Sequence, residues 1–407
     1  MDDEKVLRIP RRGVIAMLVS VGAQLAILGA LAPVLPLHVL SFGATPGHWG
    51  GMAAGAGLLM IFSEPLWGVL GDRWGVRRPY RAARLALALG LWLVALWPGL
   101  AAIVAWQVAS GLFEPTIGVL GRGYIVRAYA PSRQTLGLSL YLVVYSASLA
   151  AGSAVGGRLY EQAGSQPVFL LTASLGTLAA LASLFLTEPP PLPAYGAASN
   201  PDRARVGAVL TGPALILGLA ALLQFVDSRV VRNFLVLLAR ERAGLDASAV
   251  GLLFGAFSLA NVCFLVLLER FGRRIALAAR VVAGLAMGAL GMLVYAAAGS
   301  FAGFMVAVCL DALGWALASP ARIVLVGRLS PPGAYGWALG LHGALENVGV
   351  TLGPVVAGAL WRLSPAAAYQ VTATLMAAGA LAALRLRAQA AARAAPTPGE
   401  RRPTSAQ

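Results

Sequence analysis

Long apolar runs separated by short polar or turn-rich breaks make up nearly the whole chain. A helix that crosses a bilayer needs about 20 mainly apolar residues, and a helix satisfies its own backbone polar groups in lipid. On that criterion the breaks divide the chain into twelve predicted spans: 13–37, 46–70, 80–99, 101–126, 133–158, 166–187, 207–232, 246–268, 275–298, 301–326, 334–360 and 365–385. Between the sixth and seventh lies EPPPLPAYGAASNPDRAR, whose prolines cannot continue a helix. The predicted organisation is an N-terminal six-helix half (1–187), a linker (188–206), a C-terminal six-helix half (207–385) and a disordered tail (386–407). The opening stretch MDDEKVLRIPRR leaves no room for a cleavable leader, so the first run is read as a span.

Composition sharpens this picture. The 407 residues are 59% hydrophobic and 12% charged, with a mean hydropathy of +0.78, against roughly 45–50% and about 25% in soluble domains. Soluble enzymes, disordered chains and secreted disulfide scaffolds are excluded. A net charge of +15 first raises nucleic-acid binding. However, placing both termini in the cytoplasm puts 25 of the 31 basic residues at cytoplasmic ends and loops, among them Arg8, Arg11, Arg12, Arg81 and Arg84. That is the positive-inside pattern. It predicts a multi-pass protein of the cell (inner) membrane with termini, linker and tail in the cytoplasm, and no nucleic-acid partner. Cys263 and Cys309 lie in apolar runs without ligand spacing, so they read as small core residues, with neither a disulfide nor a metal site. No nucleophile–base constellation, metal-ligand cluster or phosphate loop appears, so neither an enzyme nor a cofactor is expected.

The two halves repeat. GVLGDRWGVRR after the second span matches LVLLERFGRR after the eighth, aligning Asp72 with Glu269 at a shift of 197. GSAVGGRL from Gly152 matches GPVVAGAL from Gly353 at a shift of 201. Duplicated halves place a transport site at their interface, near the bilayer midplane.

The first of these loops resembles the signature between helices 2 and 3 of the Major Facilitator Superfamily: Gly68, Asp72, Arg73, Gly75, Arg77 and Arg78 match, and Glu269, Arg270, Gly272 and Arg273 form the degenerate second copy. Gly68 and Gly75 also allow close backbone approach and a tight turn. The resemblance implies an all-α fold of twelve helices in two pseudo-symmetric halves. It further implies that this loop latches the halves on the cytoplasmic side in the outward-open state, with Asp72 near the start of helix 11. LAPVLPL from Leu31 and the glycine pattern of helix 5 resemble the twelve-helix drug:proton antiporters. Two positions depart from that group: Gly152-Ser153 stands for its Gly-Pro, and Gln107 for an arginine implicated in proton coupling. Another group must then serve coupling.

Ionisable side chains inside spans tend to face a cavity and carry function. In the fourth span Gln107, Gly111, Glu114, Gly118 and Arg122 share one stripe, as do Asp311, Trp315, Ser319 and Arg322 in the tenth. The seventh offers Gln224 and Asp227, with Arg229 and Arg232 read as neutralising Asp227 toward the outer mouth. Gln24 stands in the first span, Tyr141 and Tyr145 in the fifth, and Asn261 in the eighth. The eleventh carries His342, read as near its cytoplasmic start, then Glu346 and Asn347, the last read as a bonding partner of Glu346. Glu64 in the second is read as joining the Asp72 network. The resemblance implies that helices 1, 4, 7 and 10 line the cavity. The candidates for proton coupling are Glu114, Asp311, Glu346 and Asp227, with Glu114 foremost; for Asp311 a buried pair with Arg322 or Arg122 is the structural alternative. The candidates for the substrate cavity are Gln24, Gln107, Arg122, Tyr141, Tyr145, Gln224, Asn261, Trp315 and Arg322. A carboxylate without a partner in a low-dielectric site holds a proton near neutral pH. Several such acids favour a cationic or amphipathic substrate, a preference diluted by Arg122 and Arg322. The expectation is a monomeric, proton-coupled exporter of small amphipathic drugs or metabolites, its partners being substrate, protons and lipid. The alternatives are an uptake symporter for a nutrient and a non-transporting receptor or assembly factor on the same scaffold.

Overall fold

The structure, a computed structural model, describes residues 7–130, 133–190, 213–330 and 335–394. Twelve helices in it are long and apolar enough to cross a membrane. In the N-terminal half these are Arg11–Leu31, Pro46–Trp74, Arg77–Leu96, Leu100–Ala128, Gln134–Ala163 and Ser165–Ser183. In the C-terminal half they are Pro213–Ala243, Ala247–Phe271, Leu277–Ala297, Phe301–Leu329, Tyr335–Leu360 and Ala367–Ala394. Large apolar side chains such as Phe62, Leu89, Leu259 and Leu381 stand exposed on the outside of the bundle, where lipid and not water is the solvent they fit.

Three boundaries differ from the sequence reading. The first span breaks after Leu31 and resumes as a short helix, Leu35–Ser41, because Pro33 and Pro36 interrupt the backbone ladder. The seventh span runs to Ala243 instead of 232, since the apolar run after Arg232 continues the helix. The last helix runs to Ala394, into the stretch expected to be disordered tail. Residues 191–206 of the expected linker and 395–407 of the tail lie outside the described residues.

The fourth span carries the most consequential irregularity. Pro115 lacks an N–H and its ring crowds the carbonyl four residues back, so the helix ends at Phe113 and re-forms through a π-helical stretch, Ile117–Gly121. Carbonyls around the break are taken up by side chains from neighbouring helices. Ser63 Oγ donates to Gly111 O (2.8 Å), Trp67 Nε1 to Leu112 O (2.6 Å), Arg84 Nη2 to Phe113 O (3.2 Å) and Tyr141 Oη to Ile117 O (3.0 Å). Backbone groups left bare in an apolar bundle would each cost several kcal/mol. The break therefore persists because four side chains fill it, and it sets Glu114 at the bend.

The repeated glycine motifs make equivalent contacts in both halves. Gly152 and Gly156 bring the fifth span against Ala26 and Ala30 of the first, while Gly157 meets the Ala247 carbonyl of the eighth. Their counterparts do the same: Gly353 packs the eleventh span on Val226 and Arg229 of the seventh, and Gly358 meets Pro46 and Gly47 of the second. A Cβ at any of these positions would collide with backbone, so the small residues set the helix spacing. Among the described residues, the close approaches between halves lie toward the end opposite the chain termini. The second and eleventh spans meet at Gly50–Pro354 and Gly57–Thr351, the fifth and eighth at Gly251–Ser153. Trp49 Nε1 adds a bond to Asn233 O of the seventh (2.9 Å). Among the described residues, the approaches nearest the terminal end are Glu64–Asn347 and Ala150–Gly255.

Candidate transport site

Beneath this seal, between the halves, is a cavity of about 80 Å³. A buried water needs about 10–15 Å³ on the same measure, so it admits several waters or one small functional group. Its apolar wall comes from Leu28, Leu31, Trp49, Met60 and Trp106. Its polar wall is Gln107, Ser110 and Glu114 from the fourth span facing Arg229, Arg232 and Asn233 from the seventh. Glu114 lies within electrostatic reach of Arg232, Arg229 and the fully buried Arg84. Arg84 is itself engaged, donating to Phe113 O and to Thr116 Oγ1 (2.5 Å). Tyr145 stands near Arg229, and Asn233 Nδ2 donates to the Arg229 carbonyl (2.8 Å).

The arginines correct the sequence reading. Arg229 and Arg232 do not neutralise Asp227. With the helix continuing to Ala243, Asp227 is mid-span, and the arginines three residues apart point into the cavity toward Glu114. Asp227 instead meets Asp311 of the tenth span. The two are 0% and 2% exposed, and their carboxyl groups lie within hydrogen-bonding reach of each other. The Trp315 indole N–H lies within hydrogen-bonding reach of Asp227, although neither Asp227 oxygen, nor Asp311 Oδ1, closes a bond of good geometry among the described residues. Around the pair, the hydroxyls of Tyr295 and Tyr369 lack partners among the described residues, with the two tyrosine rings 5.8 Å apart. Trp315 packs edge-on against Phe225 (5.3 Å).

A third cluster lies toward the terminal end. Arg322, fully buried, donates to Gln224 Oε1 and pairs with Glu346 (3.7 Å), which also meets His342 Nε2 (3.3 Å). Arg322 is thus Glu346's partner, not Asp311's, and His342 is bound one turn from Glu346 inside the helix instead of capping its start. Glu64 accepts from Asn347 Nδ2 across the halves (2.8 Å), so it belongs to the seam and not to an Asp72 network, and Asn347 serves Glu64 instead of Glu346. Arg122 is exposed near Tyr141, whose hydroxyl staples the helix break. Gln24 is buried with Nε2 unpaired, and Asn261 Nδ2 ties the eighth span to Ala312 O of the tenth (3.1 Å). Neither lines the cavity. Cys263 is exposed, contrary to a core role, and both cysteines are free thiols.

The signature loop shows partners that the sequence did not reveal. Gly75 turns at φ +75°, and a Cβ there would strike Glu188. The Glu188 carboxylate accepts from Val76 N (2.6 Å) and Arg77 N (3.0 Å), capping the third span. Arg81 donates to the carbonyls of Ser183 (2.9 Å), Leu184 (2.5 Å) and Leu186 (3.2 Å), capping the sixth. Asp72 is exposed and makes no ion pair among the described residues. In the second copy Arg280 Nη2 donates to Gly272 O (2.5 Å), and Arg270 lies over Phe271.

Comparison with known proteins agrees with this architecture. The model of the Major Facilitator Superfamily matches residues 15–226 and 217–407. The multidrug resistance protein MdtH of Aeromonas hydrophila is 29% identical over 84% of the chain and 86% of that protein. The tetracycline resistance protein, class C, of Escherichia coli is 25% identical over 83% and 86%. The multidrug resistance protein MdtG of Citrobacter koseri reaches 31%, over 61% of the chain and 62% of MdtG. Among solved structures, the fold is similar to the peptide transporter PepTSo (TM-score 0.77, 12% identity, covering 95% of the chain and 99% of PepTSo). It is also similar to the human organic anion transporter MFSD10 (TM-score 0.67, 19% identity, covering 92% and 99%). Twelve spans, duplicated halves joined by glycine-lined seams, a polar cavity between them and the family match over both halves make this chain a transporter of the Major Facilitator Superfamily.

Proposed function

We propose that the protein is a monomeric, proton-coupled exporter of small amphipathic molecules in the inner membrane, with both termini in the cytoplasm. The observation that carries this reading is the charged cavity between the halves, beneath the glycine-lined seams at the end opposite the termini. With the arginine-rich terminal end in the cytoplasm, the seams lie on the outer side of the cavity, and the resistance proteins among its relatives favour export.

Coupling requires an acid whose proton occupancy can change as access alternates. Its first condition is the absence of a cationic partner. Glu114 faces three guanidinium groups and Glu346 is paired with Arg322, whereas Asp227 and Asp311 meet only each other, two tyrosines and an indole. Two such carboxyl groups away from water share a proton, so this pair is our choice for the coupling site. Each proton driven inward contributes about 2.3 kcal/mol per 100 mV. Everted vesicles with an imposed pH gradient test the assignment. Asp311→Asn and Asp227→Asn should each cut gradient-driven export about 100-fold while keeping exchange of labelled for unlabelled substrate. Full gradient-driven export in both variants would remove the pair from the mechanism, and accumulation in intact cells would reverse the direction.

A further inference from the structure

The cavity has an excess of positive charge that Glu114 does not balance among the described residues. Arg229 and Arg232 make no side-chain hydrogen bond or ion pair among the described residues, and both line the cavity. Three residues apart on a helix, they present their guanidinium groups on one face. The single acid opposite, Glu114, is shared with Arg84 behind it, so three cations stand against one anion. The remaining walls carry no further charge: the first, second and eleventh spans offer Leu28, Leu31, Met60, Trp49, Val350 and Pro354. Among the described residues, Tyr145 is the other ionisable group near Arg229. The acids that would welcome a cation are engaged elsewhere, Glu346 with Arg322, Glu64 with Asn347, and Asp227 with Asp311.

We infer that Arg229 and Arg232 form an anion-binding subsite and that the transported molecule is an amphipathic organic anion. Its carboxylate, sulfonate or phosphate group binds between the two arginines, beside Trp49, Trp106 and Met60, and its apolar body extends beyond the cavity. Planar guanidinium groups match such oxyanions with paired, charge-assisted bonds. The volume of about 80 Å³ fits a head group of that size and not a whole drug-sized molecule. A cationic substrate in the same place would face two unpaired arginines.

This inference rests on reading the cavity as the transport path, and the test separates the two. Full-length purified protein is titrated calorimetrically with three probes sharing one ring system: 1-naphthalenesulfonate, 1-naphthalenemethanol and 1-naphthalenemethylammonium. The sulfonate should bind at least about tenfold tighter than the ammonium. Arg229→Gln and Arg232→Gln should each reduce the sulfonate-to-alcohol affinity ratio about tenfold, with Arg→Lys at either position restoring part of it. The wild-type order needs no variant to fold. Equal or tighter binding of the ammonium, or a ratio unmoved by both Gln variants, overturns the subsite. Reconstituted vesicles then address the path. Sulfonate preference without proton-driven flux would leave the subsite standing and sink the transport reading; proton-driven flux with the ammonium preferred would do the reverse.

Discussion

Glu114 and Asp311 are equivalent by the internal repeat. Each is an acid near the middle of an apolar run, and they are separated by 197 residues, the offset that aligns Asp72 with Glu269. Their surroundings are opposite. Glu114 sits at the Pro115 bend, looks into the cavity and faces guanidinium groups from both halves. Asp311 sits on an unbroken stretch of helix inside the C-terminal half and meets another acid. On the proposed reading the difference separates two jobs, where the sequence makes all of these acids coupling candidates with Glu114 foremost. Glu114, among arginines, would tune what the cavity accepts. Asp311, without a cation, would carry the proton. Asp227 joins the jobs mechanically, because it shares a helix with Arg229 and Arg232, so a shift of the seventh span moves both sites together.

If the separation is right, removing the charge of Glu114 affects selection most. Glu114→Gln takes away the carboxylate that, among the described residues, competes for Arg229 and Arg232. The sulfonate probe should bind about tenfold tighter, a gain on the scale of one charge-assisted interaction, and export should keep a component driven by the pH gradient. Loss of that component with unchanged probe affinity would merge the two sites and make Glu114 the coupling acid. Proton-driven flux and calorimetric affinity, measured on the same preparation, decide between them.

Stability should separate the sites less strongly. Glu114→Gln leaves three guanidinium groups without their counter-charge and should lower unfolding free energy by about 1–3 kcal/mol, below the roughly 3–5 kcal/mol of a fully sealed pair because the cavity admits water. Asp311→Asn removes a like-charge conflict and supplies an amide donor to Asp227, so it should stay within about 1 kcal/mol of wild type. Thermal unfolding of both variants in one detergent gives the order directly. Asp311→Asn as the more damaging change would reveal a cation partner for the pair.

The fold and the acids were far more legible than their pairing. Twelve runs, the repeat and the signature loop follow from apolar length, charge asymmetry and self-similarity, all properties of consecutive residues. Partners depend on helix ends and rotation. Reading the seventh span as ending at 232 sent Arg229 and Arg232 to the outer mouth. The apolar FLVLLA after Asn233 was the available signal that the helix goes on and that they belong at mid-membrane. Likewise the fourth span reads in sequence as continuous over 101–126 despite Pro115, and nothing local shows that Ser63, Trp67 and Arg84 would fill the break, because those come from other helices. Glu188 looked like the first residue of a linker and is in fact a cap on a helix 112 positions away.

That cap offers the smallest and most local test of the comparison. Glu188 belongs to neither acid site, yet it joins the third and sixth spans at the terminal end. Glu188→Ala exposes the amides of Val76 and Arg77, and the loss of one such cap costs about 1 kcal/mol, less here because water can replace an exposed carboxylate. Glu188→Gln keeps one acceptor and should recover about half. Both variants should leave the pH dependence of export and the probe preference where they were, since the cap acts only within the N-terminal half. A shifted pH dependence in Glu188→Ala would mean that the signature loop feels the protonation of Asp227 and Asp311 from the far half. The two sites would then be parts of one switch running through the loop, and their separation along the seventh span would no longer explain coupling.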